Sequence, residues 1–315
     1  MFTCALYYKL LLLRSAFLNI SCYVETGFRV EYLNEGFFMQ LTSENGSGLD
    51  PFLKWAGGKR WLVKRDNQIA PPYYKRYIEP FVGGAAVFFS LPNSPYIIAD
   101  SNLELINCYE SIKTNYKEVE KYLRSHQRKH CDEYYYQVRK SQPRQQYIRA
   151  ARFIYLNRTC WNGLYRVNLN GKFNVPRGTK NNVLLETDNF EMVAARLKKG
   201  SILCQDFEET LAIAGDGDFV FIDPPYTVKH NLNGFLKYNE KIFCWGDQER
   251  LKEAVSSAVN RGAMVTMTNA DHKSIRSLYS GMCEIEKIKR YSVIAGGSSH
   301  RGVISEVLMR MGWNV

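Results

Sequence analysis

The tetrapeptide Asp223-Pro224-Pro225-Tyr226 directly follows the apolar run Phe219-Val220-Phe221-Ile222. With each residue type at roughly 5% usage, such a tetrapeptide arises by chance in about one chain per thousand. The run reads as a buried strand, and the two prolines end it because proline cannot donate to a ladder. Ligands of open α/β sheets bind at the carboxyl ends of strands. There the rigid prolines hold the backbone so that a carbonyl points outward beside the Asp223 carboxylate. Both groups are acceptors, and an exocyclic amine such as N6 of adenine offers two N–H donors. Binding both draws the nitrogen lone pair out of conjugation with the ring and makes it a better nucleophile. Tyr226 adds an aromatic face on which a base can stack.

Two further clusters are suited to binding. Glu79-Pro80-Phe81-Val82-Gly83-Gly84-Ala85-Ala86 is followed by Asp100 at the end of the next apolar run. Glycines in a strand-to-helix turn let the backbone approach a ligand, and an acid at the end of the next strand binds ribose hydroxyls. The GxGxxG spacing of dinucleotide enzymes is absent, which suits a nucleoside cofactor without a pyrophosphate. The segment Pro51 to Arg60 holds Lys54, Trp55 and, after paired glycines, Lys59. Such a lysine can bind an anion, although the full P-loop spacing is missing.

These residues need a scaffold of alternating strands and helices. Arg76 to Phe81 is predicted as a strand, Val87 to Leu91 as a helix, and Tyr96 to Ala99 as a second buried strand. Further strands are expected at 201–204, 219–222, 263–268, 285–291 and 304–310. Asp188 is expected to cap a helix reaching Lys199, and Asp247 one ending near Gly262. This alternation implies a doubly wound α/β sheet. It is interrupted by helical periodicity from Asn102 to Asn157, broken near Cys131 and Pro143. The stretch Tyr165 to Val175 then alternates on both sides of Asn170-Gly171, the pattern of a hairpin with a type I′ turn.

Charge singles out the same interruption. Between Ser111 and Lys180, sixteen Lys and Arg stand against four acids, an excess of twelve, while the 315-residue chain as a whole carries +11. Aromatics are interleaved, so nucleic acid is the expected partner, with Arg149 and Arg152 among the expected phosphate contacts. Residues 1–48 lack a clear period, and 43–48 read as a loop. The domain proper is expected to begin at Pro51. Met39 would make a sensible start, and the first 38 residues are expected to be dispensable.

The eight cysteines form no CxxC pair and show no zinc spacing, so no metal is expected; they read as buried thiols in a reducing cytosol. No stretch reaches the ~18 apolar residues of a membrane span. Lys9 and Arg14 bracket Leu10 to Leu13, leaving a run too short for a secretion signal. A cytoplasmic location is expected.

Phe52-Leu53-Lys54-Trp55-Ala56-Gly57-Gly58-Lys59, Glu79-Pro80-Phe81-Val82-Gly83-Gly84, Ile98-Ala99-Asp100, Asn162-Gly163-Leu164-Tyr165-Arg166 and Asp223-Pro224-Pro225-Tyr226 occur in one order. By these motifs the chain resembles the Dam-type (D12 class) DNA adenine methyltransferases, a group that includes GATC-modifying enzymes of some restriction systems. The resemblance runs over roughly Pro51 to Met311 and has no counterpart for residues 1–48. It implies a Rossmann-like S-adenosylmethionine-dependent sheet at 49–102 and 187–315. An inserted helical and β-hairpin target-recognition domain would fill 103–186. A monomer would then methylate N6 of a flipped-out adenine in double-stranded DNA at GATC.

The resemblance also implies roles. Trp55, Lys59, Phe81, Gly83, Asp100 and Asp223 would contact S-adenosylmethionine, and Asp223, Pro224, Pro225 and Tyr226 would form the catalytic tetrapeptide. Arg166 would read a guanine, Leu164 and Pro176 a thymine methyl, and Lys54 the first guanine. Trp161 would slide into the duplex beside the flipped base, with Asn162 also on DNA. These pairings fit groove chemistry. Two places depart from the family: Thr179 stands where an arginine is common, with Arg177 and Lys180 nearby, and the segment 227–245 differs. Enzymes that methylate RNA or protein amides more often carry Asn at the position of Asp223 and lack the hairpin. Cytosine N4 enzymes usually show Ser-Pro-Pro-Tyr. A DNA-binding module that has lost catalysis would not need Trp55, Lys59, Asp100, Asp223 and Tyr226 intact.

Overall fold

The computed structural model describes residues 49–65, 68–168, 170–228, 243–291 and 303–313, together with the backbone of three short strands before them. Those strands, Ser21–Val24, Phe28–Glu31 and Thr42–Ser43, pair antiparallel into a small sheet of their own. The stretch that shows no period in the sequence therefore still forms pairing segments. Met39 and most of the expected 43–48 loop lie outside the described residues.

Residues 49–315 form a second unit around a seven-stranded sheet. Its strands are β1 (Arg76–Glu79), β2 (Tyr96–Asp100), β3 (Gly200–Cys204), β4 (Asp218–Ile222), β5 (Met264–Ala270), β6 (Ile285–Tyr291) and β7 (Val303–Met311). Their order is β3-β2-β1-β4-β5-β7-β6. The first five are parallel, and β7 runs antiparallel to both neighbours. The inner strands are continuous apolar runs because both faces are covered. Phe219 and Phe221 pack with Tyr77, Phe88 and Leu308 on one face, while Val220 and Ile222 pack with Leu251, Val255 and Met309 on the other. This is the expected Rossmann-like sheet. Strand order reverses between β1 and β4, where Ile78 lies opposite Val220. At such a switch point a crevice opens beyond the carboxyl ends of the strands. Glu79 ends β1 there, and Asp223 follows β4.

Two short helices, α1 (Arg60–Arg65) and α2 (Ala86–Ser90), precede the basic segment. That segment forms α3 (Leu103–Lys129), α4 (Asp132–Lys140) and α5 (Gln146–Thr159), with breaks where the periodicity places them. Asn102 caps α3 by accepting from the amides of Glu104 and Leu105. The helix bends at Asn115, and before the bend Lys113 Nζ reaches the Gly200 carbonyl of β3 at 3.0 Å. The remaining helices are α6 (Phe190–Leu197), α7 (Phe207–Ala212), α8 (Trp245–Asn260) and α9 (Lys273–Leu278). Among the described residues no helix is long and apolar enough to cross a membrane.

Four local expectations are corrected. Asn189, not Asp188, caps α6, because the Asp188 carboxylate is engaged by Arg158. Cys244 precedes α8, and Asp247 stands one turn inside it as the returning half of a capping box, accepting from the Cys244 amide at 2.8 Å. The hairpin is not a two-residue type I′ turn. Asn168 N bonds Lys172 O and Gly171 N bonds Asn168 O, both at 2.9 Å, so the loop has three residues, with Gly171 at positive φ (+69°). The Asn168 side chain decides this by accepting from the amides of both Asn170 and Lys172 at 3.0 Å. Beyond the turn, among the described residues, the arms pair as isolated bridges, Val167 with Phe173 and Cys160 with Arg177, and not as a continuous ladder. Finally, Cys108 and Cys160 are buried thiols, but Cys131, Cys204 and Cys244 are exposed, the first and last at helix starts and Cys204 at a strand end.

Arg158 holds the insertion to the sheet unit. It is 2% exposed and forms a two-pronged pair with Asp188, both contacts at 2.6 Å. It also donates to the carbonyls of Phe52 and Val183 at 2.8 and 2.7 Å. Removing one partner of a buried pair strands the other's charge and costs about 3–5 kcal/mol. Asp188→Asn is expected to lower the urea unfolding free energy by that amount; a loss below about 1 kcal/mol would show that the pair behaves as a surface bridge.

Candidate active site

The switch point gathers residues from both ends of the chain. Lys59 lies just before α1 and is 3% exposed. Its Nζ donates to the Gly57 carbonyl and to Asp223 Oδ1, each at 2.8 Å, and stands 3.5 Å from Glu306 Oε2 of β7. It also sits 5.0 Å from the centre of the Tyr226 ring. The Tyr226 hydroxyl donates to Glu306 Oε2 at 2.8 Å, and the Thr268 hydroxyl of β5 donates to Asp223 Oδ1 at 2.7 Å. All these bonds to Asp223 use Oδ1. The Asp223 side chain remains 19% exposed, so a carboxylate edge faces the crevice. Burial pushes its pKa up, and the Lys59 charge opposes the shift.

Beside it, the glycine turn after β1 meets the end of β2. Gly83 N donates to Asp100 Oδ2 at 3.2 Å and Asn102 N to Oδ1 at 3.0 Å. Gly83 has a φ of +44°, and a Cβ there would lie 2.7 Å from Cδ1 of Trp55. The indole thus rests on the turn at a place only glycine leaves open. Trp55 is also stacked with Tyr165, 5.7 Å between centroids at 18°. Burial raises the Asp100 carboxyl to about 6 against the pull of the surrounding backbone amides. Glu79, at the end of β1, is 3% exposed, and its Oε2 has no hydrogen-bond partner among the described residues. Burial first, then the charges of Asp223 and Asp100, hold its pKa well above the usual carboxylate range. Three carboxyl groups, a glycine turn and an indole make a set that suits a ligand bearing hydroxyls and positive charge. Phe81 lies on the aromatic side of this turn, stacked on Phe207 at 5.4 Å and edge-on to Phe243 at 5.7 Å.

The residues expected at DNA share a second neighbourhood. Buried Asn157 of α5 grips the Lys54 backbone through bonds of 2.9 and 2.7 Å and also donates to Gly163 O at 3.3 Å. Lys54 is thereby set against the tight turn Trp161–Gly163, where Asn162 has a positive φ. Burial and then the nearby Lys180 ammonium lower the Lys54 pKa to about 8. Trp161 is 50% exposed, and its amide bonds Pro176 O at 2.9 Å, so the turn and the exposed Pro176 adjoin. Leu164 is half-buried. Arg166 Nε donates to Asn174 Oδ1 at 3.0 Å, which orients the guanidinium without using its two terminal amino groups. The Trp55–Tyr165 stack joins this neighbourhood to the glycine turn.

Arg149 and Arg152 belong elsewhere. Arg149 is paired with Glu104, and Arg152 donates to the carbonyls of Val138 and Arg139 at 2.9 and 2.7 Å. Both serve the fold of the insertion. Conversely, sequence reasoning misses Glu306, Thr268 and Asn157. Glu306 does leave a trace, as the one acid in the largely apolar strand Val303–Met311, where a buried charge needs a partner. Thr268 and Asn157 carry no such signal.

The chain belongs to the D12 class N6 adenine-specific DNA methyltransferases: the family's model matches residues 55–294. It is therefore an adenine-specific DNA methyltransferase, and family and fold together imply S-adenosylmethionine as methyl donor. Among its relatives is the type II methyltransferase M1.LlaDCHI of Lactococcus lactis subsp. cremoris, 36% identical over 280 residues, 86% of this chain and 98% of that one. The type II methyltransferase M.MjaIII of Methanocaldococcus jannaschii is 34% identical, over 82% of this chain and 98% of that one. The DNA adenine methylase of Escherichia coli K12 is 33% identical, over 80% of this chain and 92% of that one.

Proposed function

We propose that this enzyme methylates N6 of a flipped-out adenine in double-stranded DNA at GATC, with residues 103–186 as the target-recognition domain. The observation that carries this reading is the open edge of Asp223 at the switch point, held by Lys59 and Thr268 with Tyr226 beside it. Asp223 and a carbonyl of the two-proline turn accept the two N–H groups of the target amine. Tyr226 supplies the stacking face. The amine attacks as a neutral nucleophile and loses its proton to water afterwards, so no residue is needed as a deprotonating base. S-adenosylmethionine, when bound, supplies an electrophilic methyl group on a sulfonium.

The acids at the ends of β1, β2 and β4 support binding of that cationic nucleoside. Asp100 accepts the ribose hydroxyls, and the buried, partnerless oxygen of Glu79 matches an ammonium or other N–H donor. Trp55, Phe81 and Gly83 shape the turn, and Lys59 supplies a cation for the carboxylate end. On the other side, Arg166 forks onto guanine, Leu164 and Pro176 meet a thymine methyl, and Lys54 contacts the leading guanine. Trp161 enters the duplex beside the extruded base, with Asn162 also on DNA.

Asp223→Ala is expected to abolish transfer of tritiated methyl groups to DNA while leaving the thermal transition in place; wild-type turnover would refute the mechanism. Cofactor binding should weaken in acid, because ribose hydroxyls favour the ionised form of Asp100. With a pKa of about 6, the ionised fraction falls from nearly all at pH 7.5 to about a quarter at pH 5.5. Calorimetry is expected to show S-adenosylmethionine affinity dropping at least about fourfold over that range. Glu79 and Asp223, also raised, act in the same direction, so Asp100→Asn should make the profile shallower. A profile unchanged by that substitution removes Asp100 from the site. Arg166→Ala is expected to cost about 1–3 kcal/mol of discrimination and to relax specificity at one base pair. Unaltered specificity in methylation mapping would take the reading role away from Arg166.

A further inference from the structure

We propose that Glu306 is a positioning residue for methyl transfer, fixing the Tyr226 ring and sharing the Lys59 ammonium with Asp223. It lies in the middle of β7, opposite Ala270 of β5 and Ile288 of β6, and is 1% exposed. An apolar side chain suits the core of an inner strand, and a buried carboxylate is tolerated there only with partners. Both of its partners described above come from the crevice: the Tyr226 hydroxyl at 2.8 Å and the Lys59 ammonium at 3.5 Å.

Two consequences follow. The hydroxyl bond tethers the far end of the Tyr226 side chain, so the ring is held from swinging about its Cα–Cβ bond away from the crevice. The ammonium stands among three oxygens: it donates to Gly57 O and pairs with Asp223 Oδ1 at 2.8 Å and Glu306 Oε2 at 3.5 Å. With part of its charge matched by Glu306, Lys59 polarises Asp223 less, and Asp223 keeps more acceptor strength for the target amine. Glu306 touches no reacting atom and acts through these two side chains. The proposal rests on the reading of Asp223–Tyr226 as the catalytic tetrapeptide.

The test uses the full chain, tritiated S-adenosylmethionine and a GATC duplex under single-turnover conditions. Glu306→Gln keeps an acceptor oxygen for Tyr226 but removes the charge; Glu306→Asp keeps the charge but withdraws it from the hydroxyl. Each is expected to slow transfer at saturating cofactor about tenfold or more, while the cofactor Kd from calorimetry moves less than about threefold. Tyr226→Phe should be slow as well, and combining it with Glu306→Asp should add little, because both remove the same bond. A wild-type rate in either folded Glu306 variant overturns the proposal, as do an effect confined to cofactor Kd and a Tyr226→Phe/Glu306→Asp loss equal to the product of the single losses. Asp223→Ala is run alongside. If it too retains turnover, the reading of the tetrapeptide has failed; if it is inactive while the Glu306 variants are not, only the positioning role has.

Discussion

One buried ammonium connects the working parts of this molecule. Lys59 arrives from the segment before the first helix, Asp223 from the end of β4 and Glu306 from the middle of β7. A buried charge must be paired, and Lys59 finds two carboxylates, from two distant stretches of chain. The requirement brings three distant stretches of chain to one point at the place where strand order reverses. It also sets the electrostatics of the crevice, since two carboxylates face a single cation there, with Glu79 and Asp100 behind them. A site with this surplus of acid favours a cationic ligand over a neutral one.

The parts of the fold that depend on local pattern are legible in the sequence. The apolar runs at β1, β2 and β4 announce buried strands, the glycine turn announces close backbone approach, and two prolines mark where β4 stops. What escapes is set by partners far along the chain. Asp188 looks like a helix cap until Arg158 is seen to occupy it. Asn170-Gly171 looks like a two-residue turn until the Asn168 side chain takes the Asn170 and Lys172 amides and widens the loop. Asn157 has no local signature at all, yet it sets the backbone of Lys54, a residue 103 positions away. Glu306 lies between these cases: an acid in a buried strand is visible, but its partners are not.

The basic segment divides its charge between two tasks. Arg158 is wholly internal, Arg149 answers Glu104, and Arg139 and Arg152 satisfy carbonyls of the hairpin and of α4. The excess of positive charge therefore overstates the field available to a polyanion, because helices packed side on need their own donors. Lys54, Lys180 and Arg166 remain near the exposed Trp161 turn, where burial first and then the Lys180 charge lower Lys54 to about 8. Crowded cations beside an exposed aromatic are an arrangement that an incoming anionic duplex relieves.

The crevice at the β1–β4 reversal is proposed to methylate adenine N6 within GATC. Single-molecule sequencing of DNA from cells expressing the protein, in a host with no adenine methylation of its own, reports modified base and site together. N6-methyladenine is expected at GATC on both strands and at no other motif. Unmodified DNA, modified cytosine, or methyladenine confined to a different sequence would contradict it.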